Sequence, residues 1–280
     1  MAVEKSLKAV SASFKVGWKV EGNWTDPVLF TGFLVLRPLF TSFVGVFAYV
    51  FIGTVTGGFT PDNLRYIILG SALFIMPTAQ MRDLGWLIHD DREHYEALKH
   101  IYLASPSLPL YLVGRSLVSF LNAALSFVVT LFASDLVIRY AFRIDVALFS
   151  KVDLPVLILA FVLGYFAFTS IGFCMYGAGI LSETAVFAFA DGLPSLLGLI
   201  GGVLFPPSFL PVQVSWLAYV TPAYYFVELA RESLLGAPSL AILAGLVITS
   251  AAYGLIFNAF FVYVRHIAVR RGLLDRKSNW

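Results

Sequence analysis

Long apolar segments with few charged residues constrain this chain more than any other feature of its sequence. Of its 280 residues, 59% are hydrophobic and 13% are charged, whereas a soluble globular domain carries roughly 25% charged residues. A helix needs about 20 predominantly apolar residues to cross a bilayer. The sequence therefore predicts an all-α polytopic membrane protein with six transmembrane helices, at Leu29–Ile52, Leu64–Gly85, Leu108–Leu136, Leu154–Leu181, Ala185–Leu204 and Leu240–Val264.

The distribution of lysine and arginine predicts the orientation of these spans. Cytoplasmic flanks collect Lys and Arg, and here these residues concentrate before the first span, between the second and third, and after the sixth. Both termini are therefore expected in the cytoplasm of a cell membrane, the inner or plasma membrane. Residues 1–27 are expected to form a cytoplasmic amphipathic helix, which lies in the headgroup region or is simply solvated. Residues 28–264 would form the transmembrane domain, and residues 265–280 a cytoplasmic tail.

The segment between the fifth and sixth spans, residues 205–236, is apolar but contains too many prolines for one straight helix. Broken backbone at membrane depth survives only where protein or a water-lined cavity satisfies its polar groups. We expect re-entrant helices here, which enter the membrane from the outer side and return beside a substrate path. The residues expected to line or gate that path are Arg37, Phe205, Pro206, Pro211, Trp216, Pro222, Tyr224 and Tyr225.

Charged residues within the apolar segments are few. Arg37 lies inside the first predicted span, where it either faces the pathway or extends to the cytoplasmic surface. Glu228, Arg231 and Glu232 lie one helical turn apart and are expected to form structural ion pairs. No chain of carboxylates or histidines that could relay protons is apparent in the spans.

The loop between the second and third spans, residues 89–106, holds the densest group of polar side chains in the sequence. Helical spacing of its apolar residues predicts a short amphipathic helix with acidic residues in its first turn, where the helix dipole favours them. Such a helix is suited to docking on a soluble partner, although a solvated connector has the same pattern. A metal site is disfavoured, because His94 and His100 do not share a helix face. The residues expected to couple to a partner are Asp91, Arg92, Glu93, Tyr95, Glu96, Lys99, Tyr102 and Ser105.

Several classes of chemistry find no support in the sequence. It has no G-x-x-x-x-G-K-[ST] motif for nucleotide binding, no zinc-ligand spacing, no Ser/His/Asp arrangement and no nucleic-acid patch. Its one cysteine, Cys174, excludes an intramolecular disulfide framework. We expect no enzyme activity, no cofactor on this chain and no nucleic-acid partner. If transport is uphill, ATP is hydrolysed by another polypeptide.

These features together resemble the membrane subunit of a type 2 ABC exporter, the ABC-2 permease family, over nearly the whole chain. Near the N-terminus, Gly32–Leu39 is similar to the family's G-x-x-W-x-x-x-x-P-L pattern without its Trp. Leu103–Pro106 and Gly114-Arg115 resemble the family's L-x-T-P and G-K elements. The most specific similarity is the series Phe205-Pro206, Leu210-Pro211, Trp216, Thr221-Pro222, Arg231 and Leu235-Gly236, in that order before the last span.

The resemblance implies two permease copies, expected as a homodimer in membrane lipid, with two copies of a separate ABC ATP-binding subunit that holds ATP and Mg. Residues 89–106 would be the coupling helix that docks on that subunit, and residues 205–236 would close the path. The expected activity is export of a drug-like or lipid-like amphiphile. The alternatives are export of a lipid-linked polysaccharide by the same family and, in another class, a channel or an intramembrane enzyme that does not use ATP.

Overall fold

The computed structural model describes residues 2–23, 27–56, 60–104, 108–144, 146–149 and 151–273. Within these ranges the chain is helical and contains no strand. We number the α-helices in chain order. They are α1 (Ala2–Asn23), α2 (Pro27–Thr56), α3 (Pro61–Leu73), α4 (Ile75–His89), α5 (Leu98–Ala104), α6 (Leu108–Val137), α7 (Leu154–Leu181), α8 (Glu183–Phe189), α9 (Gly192–Ile200), α10 (Val212–Val220), α11 (Pro222–Leu235) and α12 (Leu240–Arg270). Short π-helical segments extend α4 through Asp90–His94 and α6 through Ile138–Phe142, and Pro207–Phe209 forms a 3-10 turn.

Four helical segments among the described residues have the length and apolar composition needed to cross a membrane, which fits the predicted helical membrane protein. They are Pro61–His94, Leu108–Tyr140, Leu154–Leu181 and Leu240–Arg270. The first is longer than predicted at both ends: Thr60 accepts a hydrogen bond from the backbone of Asn63, Pro61 begins the helix, and the π segment prolongs it. α2 has 30 residues, and its role as a span stays a prediction.

The fifth predicted span, Ala185–Leu204, is not one helix in the structure. α8 ends at Phe189, a turn follows, and α9 begins at Gly192 and ends at Ile200. Pro194 explains the break, because it lacks the N–H that would bond to the carbonyl of Ala190 in a continuous helix. Gly202 then reverses the chain with a positive φ of 72°. Two short helices, α8 and α9, therefore lead to this chain reversal in place of one long span.

α7 is the central element of the bundle and packs against α4, α11 and α12. It has no charged residue along its length, and its glycines let neighbouring helices approach closely. A Cβ at Gly172 would lie 2.6 Å from Leu84, and one at Gly164 would lie 2.6 Å from the ring of Phe226. α7 therefore packs on α4 with its C-terminal half and on α11 with its N-terminal half.

α1 packs along the N-terminal half of α6. A Cβ at Gly114 would lie 2.5 Å from Ser13, so the two backbones almost touch. The four lysines of α1 are all exposed, on the sides that face away from α6. Glu21 lies in the interface, where the side-chain amide of Asn122 donates a hydrogen bond to it. The predicted amphipathic helix is thus present, and its buried face is occupied by α6.

α11 runs antiparallel to both α7 and α12. Its C-terminal end meets the start of α7, where the backbone N–H of Asp153 donates to the carbonyl of Ser233 at 2.8 Å. Near its N-terminal end, Phe226 packs against Gly164. At a rise of 1.5 Å per residue, Gly164 lies about 15 Å inside α7. The first turns of α11 therefore lie deep among the neighbouring helices, and its last turn lies level with their ends.

Candidate functional site

The segment after α4 differs from the predicted amphipathic helix. The π-helical turn Asp90–His94 completes α4, residues 95–97 form a bend, and the following helix begins only at Leu98. Backbone bonds from Tyr95 to Asp90 and from Ala97 to Asp91 close this turn. The acidic residues therefore lie at the C-terminal end of α4, and the prediction that they begin an amphipathic helix is wrong. We call residues 94–104 the coupling segment; Ser105 and Pro106 lie outside the described residues.

Asp91 is buried and not a surface residue. Its side chain is 2% exposed, and its carboxylate accepts hydrogen bonds from the hydroxyls of Tyr111 on α6, at 2.7 Å, and Tyr176 on α7, at 3.2 Å. A partner docked on the surface could not reach it in this arrangement. Its predicted role in coupling to a partner stays a prediction, and the structure shows it hydrogen-bonded inside the bundle.

Arg92 and Glu93 are half-buried and face the C-terminal end of α7. The guanidinium of Arg92 donates to the carbonyl oxygens of Gly179, at 3.4 Å, and Ile180, at 3.2 Å. A cation is favoured there, because these last carbonyls of a helix have no intrahelical partner. One carboxylate oxygen of Glu93 is buried without a hydrogen-bond partner. Both residues border a small pocket, whose other lining residues are Ile88, His89, Gly179 and Val186.

The outward surface of the coupling segment is formed by Tyr95, Glu96, Lys99 and Leu103, which are all exposed. Glu96 has a positive φ of 48°, in the bend between α4 and α5. Leu98, the first residue of α5, is buried, whereas Tyr95 before the bend is exposed. Tyr102 is half-buried.

Leu103 is the most exposed apolar side chain of the coupling segment, at 73%. It entered the sequence analysis only as part of the L-x-T-P resemblance, and not as a candidate contact. Its exposure depends on how α5 rotates against α6, which the apolar spacing does not determine.

The residues predicted to line the outer path are only partly brought together. Tyr224 and Tyr225 pack edge to face with centroids 5.2 Å apart, and Tyr219 lies 5.0 Å from Tyr224. Trp216 is 55% exposed, and its indole N–H donates to the carbonyl of Gln213 at 2.9 Å. The remaining residues differ in burial: Pro211 is exposed, Phe205 and Pro206 are half-buried, and Pro222 is buried. Arg37 lies in α2, and its side chain falls outside the described part of the structure.

Arg231 joins three elements near the end of the bundle where α3 and α7 begin. It forms an ion pair with Glu228, donates to the carbonyl of Gly202 at 3.1 Å, and lies 3.5 Å above the ring centroid of Tyr66. Tyr66 donates to the same carbonyl at 2.9 Å. Glu232 does not join this group directly; it accepts a hydrogen bond at 2.8 Å from the backbone of Ser239, at the start of α12. Arg231 therefore ties the reversal after α9 to α3 and α11.

A group of buried polar side chains in the middle of the bundle was missed by the sequence analysis. Gln80 on α4 donates to the carbonyl of Ser116 at 3.0 Å and accepts from the hydroxyl of Thr169 at 3.0 Å. Tyr165 and Ser116 share a hydrogen bond of 2.8 Å. These hydrogen bonds, one of which uses the backbone carbonyl of Ser116, connect α4, α6 and α7. The residues come from three different helices, far apart in the sequence, so no spacing pattern indicated that they would meet.

Glu21 is an ionisable group in the interface between α1 and α6. Burial raises the pKa of its carboxyl to about 7, and the negative charge of Asp83 acts in the same direction. Arg115 and the hydrogen bond from Asn122 oppose these effects. The side chain can therefore change its charge near neutral pH.

No protein-family model matches the chain, and no curated protein matches it significantly.

Proposed function

We propose that the chain is the membrane subunit of an ATP-driven exporter of the ABC-2 type, which moves a drug-like or lipid-like amphiphile out of the cytoplasm. Two copies of the chain would form the pathway, and two copies of a separate ATP-binding subunit would hydrolyse ATP with Mg. The observation that carries this proposal is the helix–break–helix unit at residues 205–236, whose middle reaches deep between α3, α7 and α12.

The geometry of this unit supports re-entrant helices. α10 and α11 have nine and 14 residues, so each is too short to cross a bilayer alone. Phe226 lies about 15 Å inside the bundle, whereas Gly236 lies against Lys151 just before α7 begins. A chain that descends to such a depth and returns to the same end matches the predicted gate on the outer side.

The coupling segment supports a soluble partner at the opposite end. Leu103 is exposed on the same short segment as Tyr95, Glu96 and Lys99, which are aromatic or charged and also exposed. An apolar side chain within a polar rim is the usual composition of a protein–protein contact. The ATP-binding subunit is the partner that the exporter proposal requires at this end.

The buried polar group around Gln80 bears on the alternative of a channel or an intramembrane enzyme. Either one needs polar groups that converge and remain available to an ion or substrate. Here Gln80, Ser116, Tyr165 and Thr169 are hydrogen-bonded to one another. This group therefore fits a structural contact between helices better than a reactive site.

Isolation of the protein with its companions tests the proposed function. The tagged full chain is purified in mild detergent from the membranes of its own cell, after ATP and vanadate treatment to trap ATP-binding subunits. We expect a protein with a Walker A motif in equal amount, and ATPase activity that a panel of amphiphiles stimulates. A matched preparation of a Leu103→Asp variant should lose the companion.

Two results would contradict the proposal. One is a chain that is stably folded and carries no nucleotide-hydrolysing companion in repeated preparations. The other is a companion whose ATPase activity responds to none of the lipids, drugs or glycans tested after reconstitution. Stimulation by lipid-linked glycans alone would keep the exporter and assign the polysaccharide as its cargo.

A further inference from the structure

We propose that Asp91 is a positioning residue that clamps the coupling segment to α6 and α7, so that α7 carries displacement of this segment to the outer re-entrant unit. The clamp consists only of contacts within this chain, so it can be tested without a partner. Its role in transport rests on the proposed function, and the two are tested separately below.

The clamp has three parts from three helices. Asp91 comes three residues before the coupling segment begins, and its carboxylate lies between the hydroxyls of Tyr111 and Tyr176. A buried carboxylate is costly unless it is hydrogen-bonded, and bonds to an ionised acceptor are stronger than neutral ones. Movement of the end of α4 would break both bonds and leave the carboxylate without a donor. The end of α4 is therefore held at one position relative to α6 and α7.

The next residue adds a second attachment to α7. Arg92 donates to the carbonyl oxygens of Gly179 and Ile180, which belong to the last turn of that helix. Two consecutive residues of α4 thus hold α7 at two points, one within the helix and one at its C-terminal end. A force on the coupling segment reaches α7 through contacts that are polar and directional.

α7 extends this connection to the opposite end of the bundle. Phe226 on α11 packs edge to face with Phe161 and Phe168 of α7, each at a centroid distance of 5.6 Å. The start of α7 is also bonded to the end of α11, through Asp153 and Ser233. One 28-residue helix therefore contacts the clamp with its C-terminal half and the proposed gate with its N-terminal half. A tilt of α7 as a rigid body would move both.

Distance measurements between spin labels test the clamp in the permease alone. In a Cys174→Ser background, labels are placed at His100 on α5 and at Ser182 just after α7, both exposed. Tyr176→Phe removes one donor to the carboxylate while keeping the ring. Loss of a hydrogen bond to a charged group corresponds to roughly a tenfold increase in the released population. We therefore expect a narrow distance distribution in the parent protein and a broadened one in Tyr176→Phe.

Conservative variants distinguish loss of the Asp91 hydrogen bonds from non-specific destabilisation of the fold. Asp91→Asn keeps an acceptor for the two tyrosines and should broaden the distribution less than Asp91→Leu. Tyr263→Phe removes a hydroxyl from an exposed position on α12 and should change nothing. Distributions that stay narrow in both Tyr176→Phe and Asp91→Leu would overturn the proposal, whether or not an ATP-binding subunit is found.

The transmission role is tested in the complex with the ATP-binding subunit. Tyr176→Phe should leave the amount of bound subunit unchanged and reduce substrate-stimulated ATPase activity several-fold, with Asp91→Asn closer to the parent protein. If Tyr176→Phe broadens the spin-label distance distribution but keeps full substrate-stimulated ATPase activity, the proposed transmission through α7 is overturned. If no ATP-binding subunit is found but the distribution broadens, the proposed function fails while the clamp stands.

Discussion

Replacing Gly70 with alanine should detach the chain reversal after α9 from α3. A Cβ at this position would lie 1.9 Å from the carbonyl oxygen of Val203 and 2.8 Å from the guanidinium of Arg231. Because the nearest atom belongs to the backbone, no rotamer change can relieve the clash. The reversal and α3 would have to separate by roughly 1 Å, since overpacked sites respond by backbone shifts.

The cost can be worked out from the contacts that this separation breaks. Overpacking costs about 1–3 kcal/mol. The carbonyl of Gly202 would also lose its bond from Tyr66, worth about 1 kcal/mol, and its bond from the charged Arg231, worth about 1.5–3 kcal/mol. Because the shift relieves part of the clash as it breaks these bonds, we expect a total loss of roughly 3–5 kcal/mol in the free energy of unfolding.

The assay is equilibrium unfolding of the purified protein in detergent micelles, compared with Gly254→Ala as the matched control. The nearest atom to a Cβ at Gly254 is 3.9 Å away, so this second helical glycine should accept alanine without loss. A double-mutant cycle with Tyr66→Phe identifies the mechanism. If the reversal moves as described, Gly70→Ala should cost about 1 kcal/mol less in the Tyr66→Phe background. Strict additivity, or a Gly70→Ala protein as stable as the control, would refute the reasoning.

Three other outcomes follow from the structure. Gly114→Ala should release α1 from α6, because the added Cβ would lie 2.6 Å from the carbonyl of Val10; protease accessibility of α1 should rise, and an unchanged digestion pattern would argue against the close packing. The pKa of Glu21 is raised to about 7, above its ordinary value of 4.5, so the folded state binds the proton more tightly and stability falls as pH rises from about 4.5 to 7. Glu21→Gln should therefore gain stability over the parent protein as pH increases from 5 to 8, and a constant difference in Tm across this range would contradict the assignment. Cysteines introduced singly at Ser208 and Lys277 should react with impermeant reagents from opposite faces of the membrane, whereas labelling from one face would overturn the predicted orientation.

The sequence predicted the long helices where composition alone decides the outcome. The third and fourth predicted spans agree with α6 and α7 almost to the residue, because long apolar runs dominate both helices even though α6 carries Arg115 and Asp135. For α7, which has no charged residue, Asp153 and a following proline also begin the helix. The prediction of the fifth span was wrong because the total apolar length of residues 185–204 does not show where the backbone must break. Asp191, Gly192 and Pro194 together are a helix-start signal, and this signal breaks the segment.

The candidate sites were predicted less well, because they depend on which helix faces meet. Asp91 continues the path of α4, because the backbone at Asp90 is still α-helical with φ −61° and ψ −48°, and its carboxylate meets two tyrosines that come from α6 and α7. The helix dipole favours acidic residues at a helix start, but here hydrogen bonds from Tyr111 and Tyr176 stabilise Asp91 at the end of α4, and the sequence does not reveal these tertiary partners. Arg231 and Glu228 could be paired from their spacing, but the involvement of Tyr66 required the tertiary structure.

The closely packed interior of a single copy leaves no room for a substrate path, which explains why the proposed exporter needs a second copy. At the depth of Phe226, the space between α7 and α11 is filled by the rings of Phe161 and Phe168, and Met76 of α4 reaches the same level. Aromatic groups packed this closely cannot admit a polar headgroup without displacement of the helices that carry them. A path between two copies needs no such opening, since only the faces that meet at the interface have to separate. In that arrangement, the tilt of α7 would change the position of α11 at the boundary of the path, while the aromatic core of each copy stays closed.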